Sequence, residues 1–355
     1  MTKRIVVIPG EDAAPEAMEA SVALFDRMNL GLEWIYPLLG EPARAQGLGT
    51  FPDAARDQID AADATWFSAT SGPSARALSH LRWGKQTFAN VRPTRWSPGF
   101  ATPLADPSGV DFVIVRENLE DSYISLEGDL ADLAPLNLTS RTLRGGPQDI
   151  GPGTYALKAI TEAGSERVAR FAFELARRRK AAGHPGRVTA SAKWNMLPKT
   201  DGLFIEIARQ VAADFPDIGF ETLIVDDFAH RLVLRPQRFD VIVLPNLYGD
   251  ILSDAAAGLA GGLGLAPSGC YGVDYAYFES AHGTAPDIAG QGVINPTATI
   301  LSGAMMLEHL GLEDAGHRLR QAVDAVYAAG RTLTPDQGGT ASTKAFAEAV
   351  FGAVR

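Results

Sequence analysis

The strongest constraint on the fold is a repeated alternation between short apolar runs and longer amphipathic segments. The first run, residues 4–9, is rich in β-branched residues and ends at Pro-Gly, and a helical pattern follows at 15–28. Further apolar runs lie at 64–67, 111–115, 187–190, 222–225 and 240–244, and helical periodicity recurs at 165–180, 302–310 and 315–329. This order predicts an α/β protein with a substantial β-sheet.

Length and composition exclude several classes of function. A chain of 355 residues can form two domains or one large α/β unit, and 46% hydrophobic with 21% charged residues is ordinary globular composition. Acidic residues number 42 against 32 basic ones, with no run of basic residues, so we expect no nucleic-acid surface. Cys270 is the only cysteine, and there is no signal peptide pattern or long apolar run. We therefore expect a cytoplasmic protein without a membrane segment.

The region 125–155 interrupts the alternation. It is rich in Gly, Pro, Asp and Asn and contains LAPLNLTSRTLRGGPQDIGPG. This composition favours a loop, an arm or a short hairpin over a helix.

Three arginines are spaced through the segments LRWGKQTFANVRP and VRENLEDSY. They are Arg82, Arg92 and Arg116. Guanidinium groups bind carboxylates through two parallel hydrogen bonds, so three that converge would hold a substrate with more than one carboxylate. Spacing alone fits exposed surface arginines equally well.

The segment GDILSD places Asp250 and Asp254 four residues apart. On a helix the two carboxylates project from one face, where they can bind a hard cation such as Mg²⁺ or Mn²⁺. A solvated helix face or an N-cap is the alternative for such a pair. Asp226 in IVDDFAH could complete a metal site, although the sequence alone does not bring it there.

Standard nucleotide-binding signatures are missing from the sequence. Neither GxGxxG after a strand nor GxxxxGK[ST] occurs, and the glycine-rich stretch 261–269 by itself indicates a loop. His282 has no partner at metal-ligand spacing, and none of the six histidines forms a zinc signature.

Taken in order, these segments resemble the β-decarboxylating dehydrogenases, a family that includes isocitrate, homoisocitrate, 3-isopropylmalate and tartrate/D-malate dehydrogenases. The resemblance runs nearly end to end, and its carboxy-terminal half is most similar to homoisocitrate and NAD-isocitrate dehydrogenases. It is strongest in FANVRP, VIVREN, the segment 193–195, RFDVIV, NLYGDILSDAAAGLAGGLGLAPSG and HGTAPDIAGQGVINPTATILSGAMMLEHLGL.

The resemblance implies a fold like that of isopropylmalate dehydrogenase, with two α/β domains and a large sheet flanked by helices, outside the usual Rossmann pattern. The cofactor-binding domain would comprise 1–97 and 255–355. The substrate and dimerisation domain would comprise 98–254, with an interlocking arm near 125–155. A homodimer, or a tetramer built from it, is the implied working unit.

The resemblance also implies roles for individual residues. Arg82, Arg92 and Arg116 match the arginines that clamp the malate carboxylates, and Tyr123 matches the catalytic tyrosine. Lys193 and Asp226 match catalytic residues supplied by the neighbouring subunit, with Asn195 beside the lysine on the substrate. The implied metal ligands are Asp226, Asp250 and Asp254. The implied cofactor contacts are His282, Gly283, Ala285, Asp287, Asn295 and Glu279.

The implied reaction is oxidative decarboxylation of a 3-substituted malate with NAD and Mg²⁺ or Mn²⁺. Lys193 would take the proton from the 2-hydroxyl while hydride leaves C2, and Tyr123 would help to protonate C3 after carbon dioxide is lost. Asp287 lies where NAD-dependent members place an acid on the adenosine ribose, and such an acid repels the 2′-phosphate of NADP.

Two motifs depart from the family pattern. The usual GDGIGPE reads GEDAAPE here, so both internal glycines are missing, and a loop that needs positive φ would have to take another path. In the motif that follows Arg116, Leu119 and Asp121 replace the usual Thr and Gly of RENTEG.

The segment SGPSARALSHLR, which precedes the first clamping arginine, is where this family selects its substrate. One hypothesis is that Arg76 or His80, with Ser79 nearby, meets a third anionic group, as in isocitrate, homoisocitrate or a phosphono analogue. The alternative is that Leu78 lines a pocket for an alkyl or small substituent, as in 3-isopropylmalate or tartrate/D-malate dehydrogenases. A regulatory subunit without activity is a further alternative, which the retained arginines, Tyr123 and Lys193 argue against.

Overall fold

The computed structural model describes residues 2–140, 142 and 144–354. It confirms a mixed α/β fold with one large sheet flanked by helices. The strands and helices in chain order are β1 (Lys3–Ile8), α1 (Ala14–Arg27), β2 (Leu32–Ile35), α2 (Gly40–Ala45), α3 (Asp53–Asp60), β3 (Ala64–Phe67), α4 (Ala75–Ser79), β4 (Ala89–Arg95), β5 (Asp111–Glu117), β6 (Glu127–Asp129), β7 (Thr154–Ala156), α5 (Glu162–Ala181), β8 (Arg187–Ala192), α6 (Thr200–Ala213), β9 (Gly219–Ile224), α7 (Val225–Leu234), β10 (Val241–Leu244), α8 (Asn246–Leu259), β11 (Pro267–Tyr271), β12 (Ala276–Ser280), α9 (Thr297–His309), α10 (Glu313–Ala329) and α11 (Thr343–Ala353).

Ten strands form the main sheet, in the order β2-β1-β3-β12-β11-β4-β5-β10-β8-β9. The outer strands on each side pair in parallel, and β3 and β10 are buried at every residue, as expected where helices cover both faces. In the centre, β11 and β4 pair antiparallel with their neighbours. The two parallel groups therefore run in opposite directions.

The predicted domain boundary falls within this continuous sheet. β4 belongs to the predicted segment 1–97 and β5 to the predicted segment 98–254, yet the two strands pair over seven residues. The division into two domains remains a prediction.

The region 125–155 forms a small hairpin, as its composition indicated. β6 and β7 pair antiparallel, and 3-10 turns lie between them at Leu130–Leu136 and Pro147–Ile150. Positions 141 and 143 lie outside the described residues. No helix in the described part of the chain is both long and apolar enough to cross a membrane.

Candidate active site

A row of polar side chains crosses one face of the central antiparallel strands. Asn90 and Arg92 are two residues apart on β4, so they point to the same face, and Asn90 pairs directly with Arg116 on β5. Ser268 of β11 donates to Asn90 at 2.9 Å and pairs in register with Glu279 of β12. The strand register thus gathers residues that are far apart in sequence.

This face forms the floor of a cavity of about 220 Å³. All three predicted arginines line it, together with Tyr123 and Asp250. Its other lining residues include Ser68, Thr70, Leu78, Asn90, Tyr277, Glu279, His282 and Gly283. The structure therefore brings the arginine set to one place, and the alternative of scattered surface arginines is wrong.

Asn246, the first residue of α8, orients two of the arginines. Its Oδ1 accepts from Arg82 Nη2 at 3.0 Å and from Arg116 Nε at 2.9 Å. Arg82 reaches it from a π-helical turn, His80–Gly84, a type of turn frequently found at functional sites. No local sequence pattern marks this asparagine as part of the site.

The environment of Arg116 favours an anionic ligand. Burial, followed by repulsion from Arg92 and Arg82, lowers the pKa of Arg116 to about 10. Its Nη1 donates to Asp250 at 2.5 Å, whereas its Nη2 is buried and has no hydrogen-bond partner within the described residues. A buried donor without a partner is rare, and a carboxylate in the cavity would satisfy it.

Asp250 links the arginines to Tyr123, whose hydroxyl donates to its Oδ2. Burial by itself raises the pKa of Asp250, but the charge of Arg116 and the hydrogen bond from Tyr123 outweigh it and lower that pKa. Burial and donation to Asp250 raise the pKa of Tyr123. The aspartate is thus held as a carboxylate, and the tyrosine keeps its proton.

Asp250 and Asp254 lie on α8, so the predicted helix is confirmed, and both carboxylates contact one guanidinium. Arg92 Nη1 donates to Asp254 Oδ1 at 2.9 Å, and its Nη2 lies 3.4 Å from Asp250 Oδ1. Burial raises the pKa of Asp254 although Arg92 opposes it. A single cationic group thus contacts both carboxylates, so the two acids face the same positive charge.

A third carboxylate does not join them within one chain. Asp226 lies at the start of α7, where its Oδ1 accepts from Lys193 Nζ at 2.6 Å, and this hydrogen bond lowers its pKa. Across residues 2–140, 142 and 144–354, no group of three or more His, Cys, Asp or Glu side chains could hold a metal ion. Lys193 and Asp226 do not line the arginine cavity, and Asn195, two residues after Lys193, is exposed.

A second cavity, of about 420 Å³, adjoins the first through His282 and Gly283, which line both. Two further predicted cofactor residues, Ala285 and Asn295, line it. The Asn295 side chain is engaged internally, because its Nδ2 donates to Tyr327 and to Asp336. The remaining lining residues are Gly264, Ile288, Val293, Ile294, Pro335 and Asp336.

The buried ring nitrogen of His282 that lacks a partner among the described residues indicates a ligand on this side of the site. Burial lowers the pKa of His282, so the ring is neutral at pH 7. Its Nδ1 lies 2.8 Å from Gly283 O, and its Nε2 is buried without a hydrogen-bond partner in the part of the chain that the structure describes. The Asp287 carboxylate is exposed on the next turn, Pro286–Ile288.

The altered loop GEDAAPE adopts positive φ at two positions. Asp12 adopts φ +57° without a glycine, and Gly10 has φ +81° with its Cα against Ala69 O, where a Cβ would lie 2.0 Å away. Glu16 at the end of this motif accepts from Gly290 N and Gly292 N, both at 2.6 Å. The motif therefore anchors the loop beside the second cavity.

In the segment that precedes Arg82, one side chain lines the cavity and others lie on the surface. Leu78 lines the arginine cavity, whereas Arg76 and Ser79 are exposed and do not line it. His80 is engaged elsewhere, with its Nε2 2.9 Å from Asp60 Oδ1.

The fold and the paired cavities define an α/β protein suited to a small polyanion next to a larger ligand. Comparison with known proteins identifies the class. The isocitrate/isopropylmalate dehydrogenase family matches residues 4–350. The chain belongs to this family, and it is an oxidoreductase, a decarboxylating dehydrogenase.

Individual relatives resemble the chain at similar levels. The isocitrate/homoisocitrate dehydrogenase of Thermus thermophilus is 41% identical over 100% of this chain and 99% of the relative. The 3-isopropylmalate dehydrogenase of Archaeoglobus fulgidus is 40% identical over 98% of each. The alpha subunit of mitochondrial isocitrate dehydrogenase [NAD] from Bos taurus is 38% identical over 98% of this chain and 89% of the relative. The crystal structure of isocitrate dehydrogenase from Methylococcus capsulatus has a TM-score of 0.86 and 37% identity, covering 100% of both chains.

Proposed function

We propose that this protein catalyses the NAD-dependent oxidative decarboxylation of a 3-substituted malate of the isocitrate or homoisocitrate type, with Mg²⁺ or Mn²⁺. The observation that carries the proposal is the convergence of Arg82, Arg92 and Arg116 with Tyr123 and Asp250 around one cavity. Three guanidiniums are suited to a substrate with two or more carboxylates.

The arginines bind and orient the substrate. The unpartnered Nη2 of Arg116 receives one carboxylate, and Arg82 and Arg92 bind the carboxylates on either side. Asn246 holds Arg82 and Arg116 at fixed positions, so little ordering is required when the substrate binds.

Asp250 and Asp254 would hold the divalent cation. When bound, the cation would supply Lewis-acid polarisation of the 2-hydroxyl, and NAD would accept the hydride from C2. Lys193 of a second copy of the chain removes the hydroxyl proton. After carbon dioxide leaves, Tyr123, which its raised pKa keeps protonated, delivers a proton to C3.

Two features support a homodimer. Lys193, Asn195 and Asp226 lie outside the arginine cavity of their own chain, so a second copy would complete the site. Exposed apolar side chains, which are common at subunit interfaces, lie close in sequence to Asn195, Asp226 or Asp250. These are Met196, Leu197, Val233, Leu234 and Ile251.

The second cavity would bind the adenosine half of NAD. His282, with its unpartnered Nε2, and Ala285 line it, and Glu279 lies on the side of the first cavity where the nicotinamide would meet the substrate. The exposed Asp287 carboxylate is free to accept from ribose hydroxyls and would repel a 2′-phosphate.

The group on C3 of the proposed malate substrate has two candidate binding environments. Arg76 lies two residues before Leu78 on α4 and makes no ion pair with any described residue, so it is available to a third carboxylate if the cleft closes. Leu78 already lines the cavity, which supports an alkyl or small substituent, as in 3-isopropylmalate or tartrate/D-malate. This second candidate rests on that contact.

A substrate panel tests the proposal. Purified protein is assayed for NADH formation on isocitrate, homoisocitrate, 3-isopropylmalate, D-malate and tartrate, with Mn²⁺ or with chelator, and with NAD or NADP. We expect turnover that needs metal and prefers NAD. No turnover on any malate derivative by the folded homomer would contradict the proposal and favour a regulatory subunit.

Arg76→Ala separates the two substrate classes. If Arg76 binds a third carboxylate, its loss lowers kcat/KM for isocitrate or homoisocitrate by about tenfold or more and spares alkyl malates. Arg44→Ala, another exposed arginine, is the matched control. Unchanged discrimination in Arg76→Ala would favour the Leu78 candidate.

A further inference from the structure

Asp121 occupies a backbone conformation that side chains rarely adopt. Its φ is +69° and its ψ is −147°, in a region that is used almost only by glycine. The residue is fully buried, and it lies two positions before Tyr123. Strained residues persist only when their surroundings hold them, and they cluster at functional sites.

The Asp121 carboxylate joins two segments of the active site. Its Oδ1 accepts from Ser122 N at 2.8 Å, in the 3-10 turn Ser122–Ile124 that carries Tyr123. Its Oδ2 accepts from Leu247 N at 3.0 Å, in the first turn of α8. Each oxygen therefore fixes one of the two segments.

The α8 helix depends on this contact at its amino terminus. The residue at its N-cap position is Pro245, which has no side-chain acceptor, and the first turn contains no acidic residue. The first amides of a helix lack partners within the helix and favour a negative charge. Asp121 supplies both the acceptor and the charge from another part of the chain.

A series of ion pairs and one hydrogen bond connects Asp121 to Lys193, the lysine proposed to act in the active site of a second copy. Lys158 Nζ lies 3.5 Å from Asp121 Oδ1 and 2.6 Å from Asp201 Oδ1. Asp201, also fully buried, accepts from Lys193 N at 2.7 Å. The Tyr123 turn and the Lys193 backbone are thus connected within one chain.

We propose that Asp121 is a positioning residue that locks the Tyr123 turn to the start of α8, so that the tyrosine hydroxyl stays on Asp250. The contacts through Lys158 and Asp201 hold this turn at a fixed position relative to the Lys193 backbone. The catalytic consequence rests on the proposed function, in which Tyr123 transfers a proton.

Asp121→Gly is the direct test, because glycine adopts this backbone conformation without strain while the carboxylate is removed. We expect kcat to fall about fivefold or more, and KM to rise by a smaller factor because all three guanidiniums remain. Asn29→Gly, which replaces an exposed residue at φ +53°, is the matched control and leaves both constants unchanged. An unchanged kcat in Asp121→Gly would overturn the proposal.

A double variant separates positioning from general destabilisation. If Asp121 acts through Tyr123, Asp121→Gly added to Tyr123→Phe lowers kcat by less than about twofold further. Independent, multiplicative losses would overturn the proposal.

Hydrogen–deuterium exchange gives a readout that does not depend on activity. Asp121→Gly is expected to raise exchange in peptides that cover 119–123 and 246–250, relative to Asn29→Gly, because Leu247 N and Ser122 N lose their acceptor. If the wild type turns over no malate derivative, the proposed function fails, and exchange alone decides. Raised exchange then supports the positioning role, and unchanged exchange overturns it.

Discussion

The arginine cavity and the Lys193–Asp226 pair differ in how completely one chain builds them. In the cavity, Arg116 is 3% exposed and has several protein partners. In the pair, the two side chains are 29% and 66% exposed and are joined by one hydrogen bond. The guanidinium cluster is therefore organised within one chain, whereas the Lys193–Asp226 pair lies at a surface, where under the proposed function a second copy would complete the site.

Arg116→Met has the largest expected effect. It removes a substrate carboxylate contact and the main partner of Asp250, so kcat/KM is expected to fall at least about a thousandfold, equivalent to about 4 kcal/mol. The free energy of unfolding falls as well, by about 2–4 kcal/mol, because a half-buried carboxylate loses its guanidinium. Steady-state kinetics and urea unfolding measure the two losses. A loss of activity with unchanged stability would contradict the account of the cavity.

Lys193→Met has a smaller effect, confined to activity. We expect kcat to fall about a hundredfold or more because the proposed base is lost. The side chain is 29% exposed and has one ion-pair partner, so the free energy of unfolding changes by less than about 0.5 kcal/mol. Lys199→Met, at an exposed lysine six residues further on, is the control and keeps full activity. Equal losses of stability in Lys193→Met and Arg116→Met would remove the contrast between the two regions.

Glu117→Gln tests the buried side of this contrast, because Glu117 is the buried neighbour of Arg116 on β5 and its ionisation makes stability depend on pH. Burial raises the pKa of Glu117 to about 7 although the amides of Glu120 and Leu119 donate to it. Its stabilising contribution is therefore complete below the unfolded pKa and is lost as pH rises through 7. Between about pH 5 and pH 8, wild type is expected to lose about 2 kcal/mol relative to Glu117→Gln.

Asp226→Asn is the control for that pH series. The pKa of Asp226 is lowered by Lys193, so its contribution is lost only as pH falls below about 4 and stays constant from about pH 5 to pH 8. Urea unfolding at both pH values measures the difference from wild type. A constant difference for Glu117→Gln would show that its carboxyl ionises normally.

The sequence predicted those parts of the site that a single element contains. Asp250 and Asp254 could be paired because helical periodicity brings i and i+4 together. The convergence of the three arginines could not be derived from spacing, because they lie on a π-helical turn, β4 and β5. The antiparallel register brings Arg92 and Arg116 together, and Arg82 joins them through Asn246. For them the resemblance to a family supplied what periodicity did not.

Two strands were not predicted because residues that form or adjoin the site interrupt their apolar pattern. β4 reads ANVRPTR, without an apolar run, because alternate residues face the polar cavity. β11 reads PSGCY, whose small residues admit close neighbours. Asn246 and Asp121 escaped for a related reason: each connects segments that are distant in sequence, so no local pattern marks it.

Mixed dimers test the central claim, that one chain's cavity is completed by Lys193 of another. Arg116→Met and Lys193→Met chains, each inactive alone, are dissociated, mixed in equal amounts and reassociated. Random pairing makes about half of the dimers mixed, each with one intact site, so about a quarter of wild-type activity is expected to return. No recovery, with mixed dimers demonstrated by mass spectrometry, would mean that each chain uses its own lysine and would contradict the account.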